Sequence, residues 1–321
     1  MKSLQNAGAW LWHGSNREVT IAYLAAIILF LLGSVLIHGF FGWGHVLAIV
    51  STAGFVGIVG IGQTFSLITG GIDLSVAYML NFSALLVTGI TLGSSRHVGL
   101  ALLVVAAAAA VIGLVNGVGI TILKIPPLIM TLSMNSILEG AALLYSNGTP
   151  AGAAPPLFTS LATGTGPLGI PWMIWFWAVV SAVVLLLFRR TVFGRWTYAT
   201  GSAPRASWLS GIPVDRVVIL VYVVSAMAAA LAGLLLAGYS GQAYFGMGDT
   251  YQLASVAVAV IGGTSILGGK GNYLGTIAGA LILTTLTNLL EVLNVGASME
   301  SMLYGVVIIV MMILNRQRQA S

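Results

Sequence analysis

The chain has no cysteine among its 321 residues, and only 6% of them are charged. The first absence excludes disulfides, thiol catalysis and thiolate metal sites. The second excludes an ordinary soluble globule, because soluble domains carry roughly 25% charged residues and need them to cover the surface. Dense Lys/Arg runs are missing too. The formal net charge of +5 is spread over short gaps between apolar stretches, which is not a surface that tracks a phosphate backbone, so nucleic acid is not expected as a partner. What is abundant is apolar: 58% of the residues are hydrophobic. A bilayer supplies the apolar contact that water cannot, and membrane lipid is therefore the expected surrounding.

Apolar stretches long enough to cross a ~30 Å hydrocarbon core run near 19–38, 45–69, 72–93, 98–120, 127–146, 172–188, 215–238, 251–268, 273–293 and 299–315. The expected fold is all-α, a polytopic bundle of about ten transmembrane helices forming one domain over 1–321. Gly70-Gly71 marks either a tight turn or a break inside the membrane. The first apolar run follows a polar segment ending at Glu18 and has no small-residue cleavage site after it, so it reads as a retained helix. With ten spans and a cytoplasmic N-terminus, Lys2, Arg17, Lys124, Arg189, Arg190, Arg195, Arg205, Arg216, Lys270, Arg316 and Arg318 fall inside and only Arg96 outside. That asymmetry, 11 against 1, predicts both termini in the cytoplasm. Residues 1–18 then form a cytoplasmic tail, 147–171 an uncharged external loop, and 189–216 a cytoplasmic loop holding five of the twelve basic residues. A loop of that charge suits the docking of a cytoplasmic partner.

Gly113 with Gly117, and Gly271, Gly275 and Gly279, recur at the spacing by which helix backbones approach closely in lipid. Packing within the chain is the favoured reading, a subunit interface the other. The run Gly263–Gly271 resembles a phosphate loop only superficially, since Thr264 replaces the first glycine and Gly271 the metal-binding hydroxyl. Any ATP is expected on another chain. His13, His38, His45 and His97 lack metal-ligand spacing, and no nucleophile–base grouping occurs. No catalytic residue, metal or cofactor is expected.

Ionisable groups inside spans are costly and are functional candidates for that reason. Asp73, in Thr69-Gly70-Gly71-Ile72-Asp73-Leu74-Ser75, is either a helix cap or a pathway group. Thr131, Asn135 and Glu139 lie at i, i+4 and i+8 and share one helix face. A polar stripe faces protein or water, so it lines a pathway or bonds a neighbouring helix. Glu291 falls near the outer interface and reads as solvated.

Four stretches together resemble the permease subunits of ribose/xylose-type sugar ATP-binding-cassette importers and, more distantly, the branched-chain amino-acid permeases. They are Gln63-Thr64 through Gly70-Gly71-Ile72-Asp73-Leu74-Ser75-Val76; Lys124-Ile125-Pro126-Pro127 with Thr131-Leu132; Phe193-Gly194-Arg195 to Ala199-Thr200-Gly201-Ser202 with Leu209-Ser210-Gly211-Ile212; and Ile261-Gly262-Gly263-Thr264-Ser265 with Leu267-Gly268-Gly269-Lys270-Gly271 and Gly275-Thr276. The resemblance implies a permease subunit in the inner membrane of a bacterium. Its implied partners are a second permease copy or paralogue, a cytoplasmic ATP-binding subunit and a periplasmic sugar-binding protein. It also implies a short coupling helix near Ala203 to Ser210, with Ala203, Arg205, Ala206, Leu209, Ser210 and Gly211 as ATPase contacts. Within this reading Asp73, Ser75, Thr131, Asn135 and Glu139 are the pathway candidates. Three features depart from the family pattern: Ser202-Ala203-Pro204-Arg205-Ala206-Ser207 where an Asn and paired alanines are usual, Ala77-Tyr78 where Gly-Ser is usual, and Glu139 where Arg is frequent. The rival readings are a secondary transporter driven by an ion gradient, which needs a carboxylate relay, and a membrane-embedded enzyme, which needs a reactive constellation the chain lacks.

Overall fold

A computed structural model describes residues 14–37, 39–293, 299, 302–306 and 308–309. Among them there are twelve named α-helices and no strand. These are α1 Gly14–Leu36, α2 Trp43–Ile68, α3 Val76–Thr91, α4 Val98–Thr121, α5 Pro127–Ser146, α6 Pro156–Thr163, α7 Trp172–Arg190, α8 Val192–Ser202, α9 Pro204–Leu209, α10 Val214–Ser240, α11 Asp249–Ile261 and α12 Tyr273–Val292. A helix satisfies its backbone groups internally, which lipid demands. Ends are set by local chemistry. Pro127 opens α5, where a missing N–H costs nothing; Asn272 Oδ1 accepts from Leu274 N at 3.0 Å to cap α12; and α10 stops at Gly241, whose φ of +78° suits glycine.

Seven of these helices are long and apolar enough to span: α1, α2, α4, α5, α7, α10 and α12. Two expected spans are corrected. The stretch 72–93 becomes a 16-residue α3 that starts only at Val76, and 251–268 becomes a 13-residue α11 that ends at Ile261. At ~1.5 Å per residue both fall short of the ~30 Å core. Glycine-rich segments, 69–75 and 241–248, precede them and are not helical. The tenth expected span, 299–315, and both chain termini lie largely or wholly outside the described residues, as do His13, His38, Lys2, Arg316 and Arg318.

The central helix is α10, packed on α2, α3, α4 and α6. Close approach is made by small residues. A Cβ on Gly117 would stand 2.5 Å from Ile219 Cα, and one on Gly113 would stand 2.5 Å from Val223 Cα. Gly275 and Gly279 likewise meet the backbone of Gly262 and Val258, so both glycine series pack inside this chain. By contrast α5 rests mainly on α3 and α4 among the described residues, and Leu128, Ile129, Leu132 and Ile137 on it are exposed.

The bundle has one basic end. Lys124 Nζ lies 3.9 Å from Asp215 Oδ1 there, Tyr198 OH donates to Gly271 O at 2.7 Å, and Gly269 N donates to Ile68 O at 2.8 Å. Phe65 stacks on Phe188 with centroids 4.0 Å apart, joining α2 to α7. At the opposite end the uncharged 147–171 segment is ordered: α6 packs on α10 and α7, and Ala154 N donates to Gly241 O at 2.8 Å.

Candidate functional site

The first helix break is held by side chains from four helices. After α2 the chain turns at Gly70, with φ +82°, and runs non-helical to Ser75. Gly71, Asp73 and Ser75 in it are buried, and their backbone groups must be paired. Gln63 Nε2 donates to Asp73 O, Leu74 N donates to Thr131 Oγ1 at 3.0 Å, and Gln252 Nε2 donates to Leu74 O at 2.9 Å. Asp73 is fully buried. Its Oδ1 accepts from Ser75 N at 3.0 Å and from Ser75 Oγ at 2.5 Å, which fixes the chain at the start of α3. Asn116 Nδ2 donates to Ser75 Oγ at 3.0 Å and ties in α4. Asp73 Oδ2 has no well-formed hydrogen bond although Ser225 lies beside it, and Tyr222 OH is also buried without a partner.

The second break brings another helix start to the same place. After Gly241 the chain reaches Asp249 through Gly246 and Gly248, and Gly248 sits against the backbone of Ala77. The N-termini of α3 and α11 therefore meet. Discontinuous helices meeting in this way bring their positive dipole ends together, an arrangement found at transporter binding sites. On the open side, Tyr78 N donates to Asn135 Oδ1 at 3.2 Å. The Tyr78 hydroxyl approaches Glu139, and Asp249 lies close enough to feel the Glu139 charge. Both carboxylates are exposed. Such a set offers carboxylate acceptors and a phenol that both donates and accepts, which is chemistry for hydroxyl groups rather than for bond breaking.

At the basic end, α8 begins with Thr191 Oγ1 accepting from Gly194 N at 3.1 Å. It leads into the six-residue α9, within the stretch expected to hold a short helix. Ser207 points inward and donates to Ala199 O at 2.8 Å, while Ala203, Arg205, Ala206, Leu209, Ser210 and Gly211 are all exposed. Trp208 is 67% exposed and Leu209 72% exposed, so an apolar patch stands on a polar end of the bundle. Burial pushes the Tyr198 phenol up to about 12, against the lowering effect of Arg189, and it remains a donor to the 262–272 loop. Through that loop α8 and α9 are tied to the end of α2, and so to the first break.

The five expected pathway residues are thus divided. Asp73, Ser75 and Thr131 are buried and hold the break together; Asn135 is half-buried and Glu139 exposed. Glu291 is exposed, as expected for a solvated residue. Sequence reasoning missed Asp249, Tyr78, Gln252, Asn116 and Trp208. A signal for Asp249 exists: an acid directly after a glycine-rich interruption, Gly246-Met247-Gly248-Asp249, echoes Gly70-Gly71-Ile72-Asp73. A tryptophan within a short basic segment is the signal for Trp208.

The family model described as the permease component of the branched-chain amino acid transport system matches residues 45–312. The ribose import permease protein RbsC of Bacillus subtilis (strain 168) is 34% identical over 299 residues, covering 93% of this chain and 92% of the relative. The xylose/arabinose import permease protein XylH of Sulfolobus acidocaldarius is 31% identical over 295 residues, covering 88% and 80%. The autoinducer 2 import system permease protein LsrC of Photorhabdus luminescens is 29% identical over 305 residues, covering 94% and 90%. No solved structure matches. With relatives aligned along nearly its full length and the family model over residues 45–312, this chain belongs to the permease family of ATP-binding-cassette importers.

Proposed function

We propose that the chain is the transmembrane subunit of an importer for a monosaccharide or related polyol in a bacterial inner membrane. Ten crossings, two of them made by the short α3 and α11 together with the non-helical segments that precede them, and cytoplasmic termini complete this reading, with the basic end inside. The observation that carries it is the meeting of the α3 and α11 N-termini beside Asn135 and Glu139 on α5, a helix with an exposed apolar face. Two copies, or this chain and a paralogue, close that side and form a pathway between their α5 helices. Glu139, Asn135, Tyr78 and Asp249 receive sugar hydroxyls weakly, and a periplasmic binding protein selects and delivers the sugar. The names of the relatives, which specify ribose and xylose/arabinose import, support a pentose or similar ring.

A separate cytoplasmic ATPase seats α9 in a cleft, with Trp208 and Leu209 as apolar anchors and Arg205 at the rim. Closure around ATP moves α9, and the contacts of α8 with the 262–272 loop and the α2 end pass the displacement to the break. This biases a two-state channel and requires no chemistry in the membrane subunit. The test is native mass spectrometry of the gently purified complex, followed by uptake of labelled D-ribose and D-xylose into proteoliposomes. An ATPase subunit that co-purifies, and is lost when Arg205, Ala206 and Leu209 are replaced together, supports the reading. A lone oligomer that moves sugar down an ion gradient without ATPase refutes it.

A further inference from the structure

A cavity of about 470 Å³ opens at the end of the bundle opposite the basic one, between α2, α10, α11 and α12. It lies apart from the face that carries Asn135 and Glu139. Thr250 and Tyr251, which line it, follow Asp249 in the first turn of α11, so cavity and polar stripe flank the same half-helix. Its size is that of a small-molecule site.

The lining is rich in hydroxyls and poor in charge. Among the described residues Glu291 is its single acidic or basic group. Thr287 Oγ1 and Tyr304 OH lie 2.9 Å apart and share one hydrogen bond, which leaves a lone pair on Thr287. Asn288 Nδ2 donates to Thr284 O at 3.1 Å, which leaves its second N–H and its Oδ1 for a ligand. The tyrosines are grouped, with Tyr239, Tyr244 and Tyr304 around Tyr251. Tyrosines anchoring a protein in the headgroup layer lie at the lipid-facing surface, whereas Tyr304 is only 7% exposed and Thr284 only 6%. The Tyr239 ring, braced edge-on by Phe55 at 5.4 Å, offers a flat apolar face beside these hydroxyls.

We propose that this cavity binds a neutral polyhydroxylated ring, either a free sugar or the sugar headgroup of a lipid. Groups that both donate and accept match hydroxyls in any orientation, Glu291 accepts from two of them, and the tyrosine face covers the C–H side of the ring. A phosphate-bearing ligand is disfavoured by the presence of Glu291 and by a lining without a cation among the described residues. The inference rests on the importer reading only for the side to which the cavity opens.

The test is equilibrium dialysis of the purified complex in phosphatidylcholine nanodiscs against labelled D-ribose, D-glucose and octyl β-glucoside, with choline as control. Saturable binding of a free sugar, on the order of millimolar, identifies a sugar site; binding of octyl β-glucoside alone identifies a lipid headgroup site. Thr287→Val with Asn288→Leu is expected to weaken binding at least about tenfold, and Glu291→Gln, at an exposed position, about threefold, with thermal stability measured beside each. ATP-driven uptake by the same variants is expected to stay at wild-type level, so a failure of this site and a failure of the importer reading give different results. No saturable binding by the folded complex, choline binding in place of sugar, or stable variants that bind as wild type would each overturn the proposal.

Discussion

Replacement of Asp73 separates a structural from a transport role for the only fully buried carboxylate described. Its Oδ1 takes two hydrogen bonds from Ser75, one from N at 3.0 Å and one from Oγ at 2.5 Å. In Asp73→Ala both donors lose their acceptor inside the bundle. Each orphaned buried donor costs about 1–3 kcal/mol, which sums to about 2–6 kcal/mol. Helices that stay inserted after unfolding find other partners in the membrane, so the lower end, ~2 kcal/mol, is expected. That is roughly a thirtyfold shift in the folded ratio. Asp73→Asn keeps the Oδ1 acceptor and turns Oδ2 into a donor beside Tyr222 OH and Ser225 Oγ, two oxygens without partners, so it is expected within ~1 kcal/mol of wild type. The assay is thermal unfolding in detergent together with sugar uptake by the reconstituted complex. Loss of stability and uptake together in Asp73→Ala, with near-normal uptake in Asp73→Asn, fits the architecture. A stable Asp73→Asn protein that no longer transports would refute it, since the charge itself would then be needed.

Other consequences follow from the same geometry. Gly117→Val places new atoms against Ile219 Cα, which a Cβ alone would approach to 2.5 Å, and is expected to cost at least about 1–3 kcal/mol by forcing α4 from α10; a thermal-unfolding curve matching wild type would contradict this. Trp208→Ala with Leu209→Ala removes the exposed apolar patch of α9 and is expected to weaken ATPase association more than tenfold without changing the melting temperature, measured by co-purification and unfolding. Glu139→Gln, at an exposed position on the α5 face, is expected to lower sugar uptake about three- to tenfold with folding intact; unchanged uptake would remove Glu139 from the pathway.

Composition, charge asymmetry and the four motif stretches were sufficient for the membrane class, the helical architecture and the importer family, because lipid permits few solutions and the apolar runs write them directly into the chain. The short helix within Ala203–Ser210 was expected from the family resemblance alone; in the structure Pro204 starts it and Gly211, with φ +83°, follows its end. The depth of each element was not legible. Hydropathy treats 72–93 and 251–268 as continuous apolar spans, yet Gln63, Thr131 and Gln252 reach in from other helices to satisfy the backbone of the first break, and without them that segment would not be stable in an apolar interior. Nor does helix periodicity distinguish Thr131 from Glu139, which share a face on α5. Tertiary packing buries Thr131 under the break and leaves Glu139 open beside Asp249, a residue 110 positions away in the chain. A sequence states which groups are polar; only the packed helices decide which of them are spent holding backbone and which are left to meet a solute.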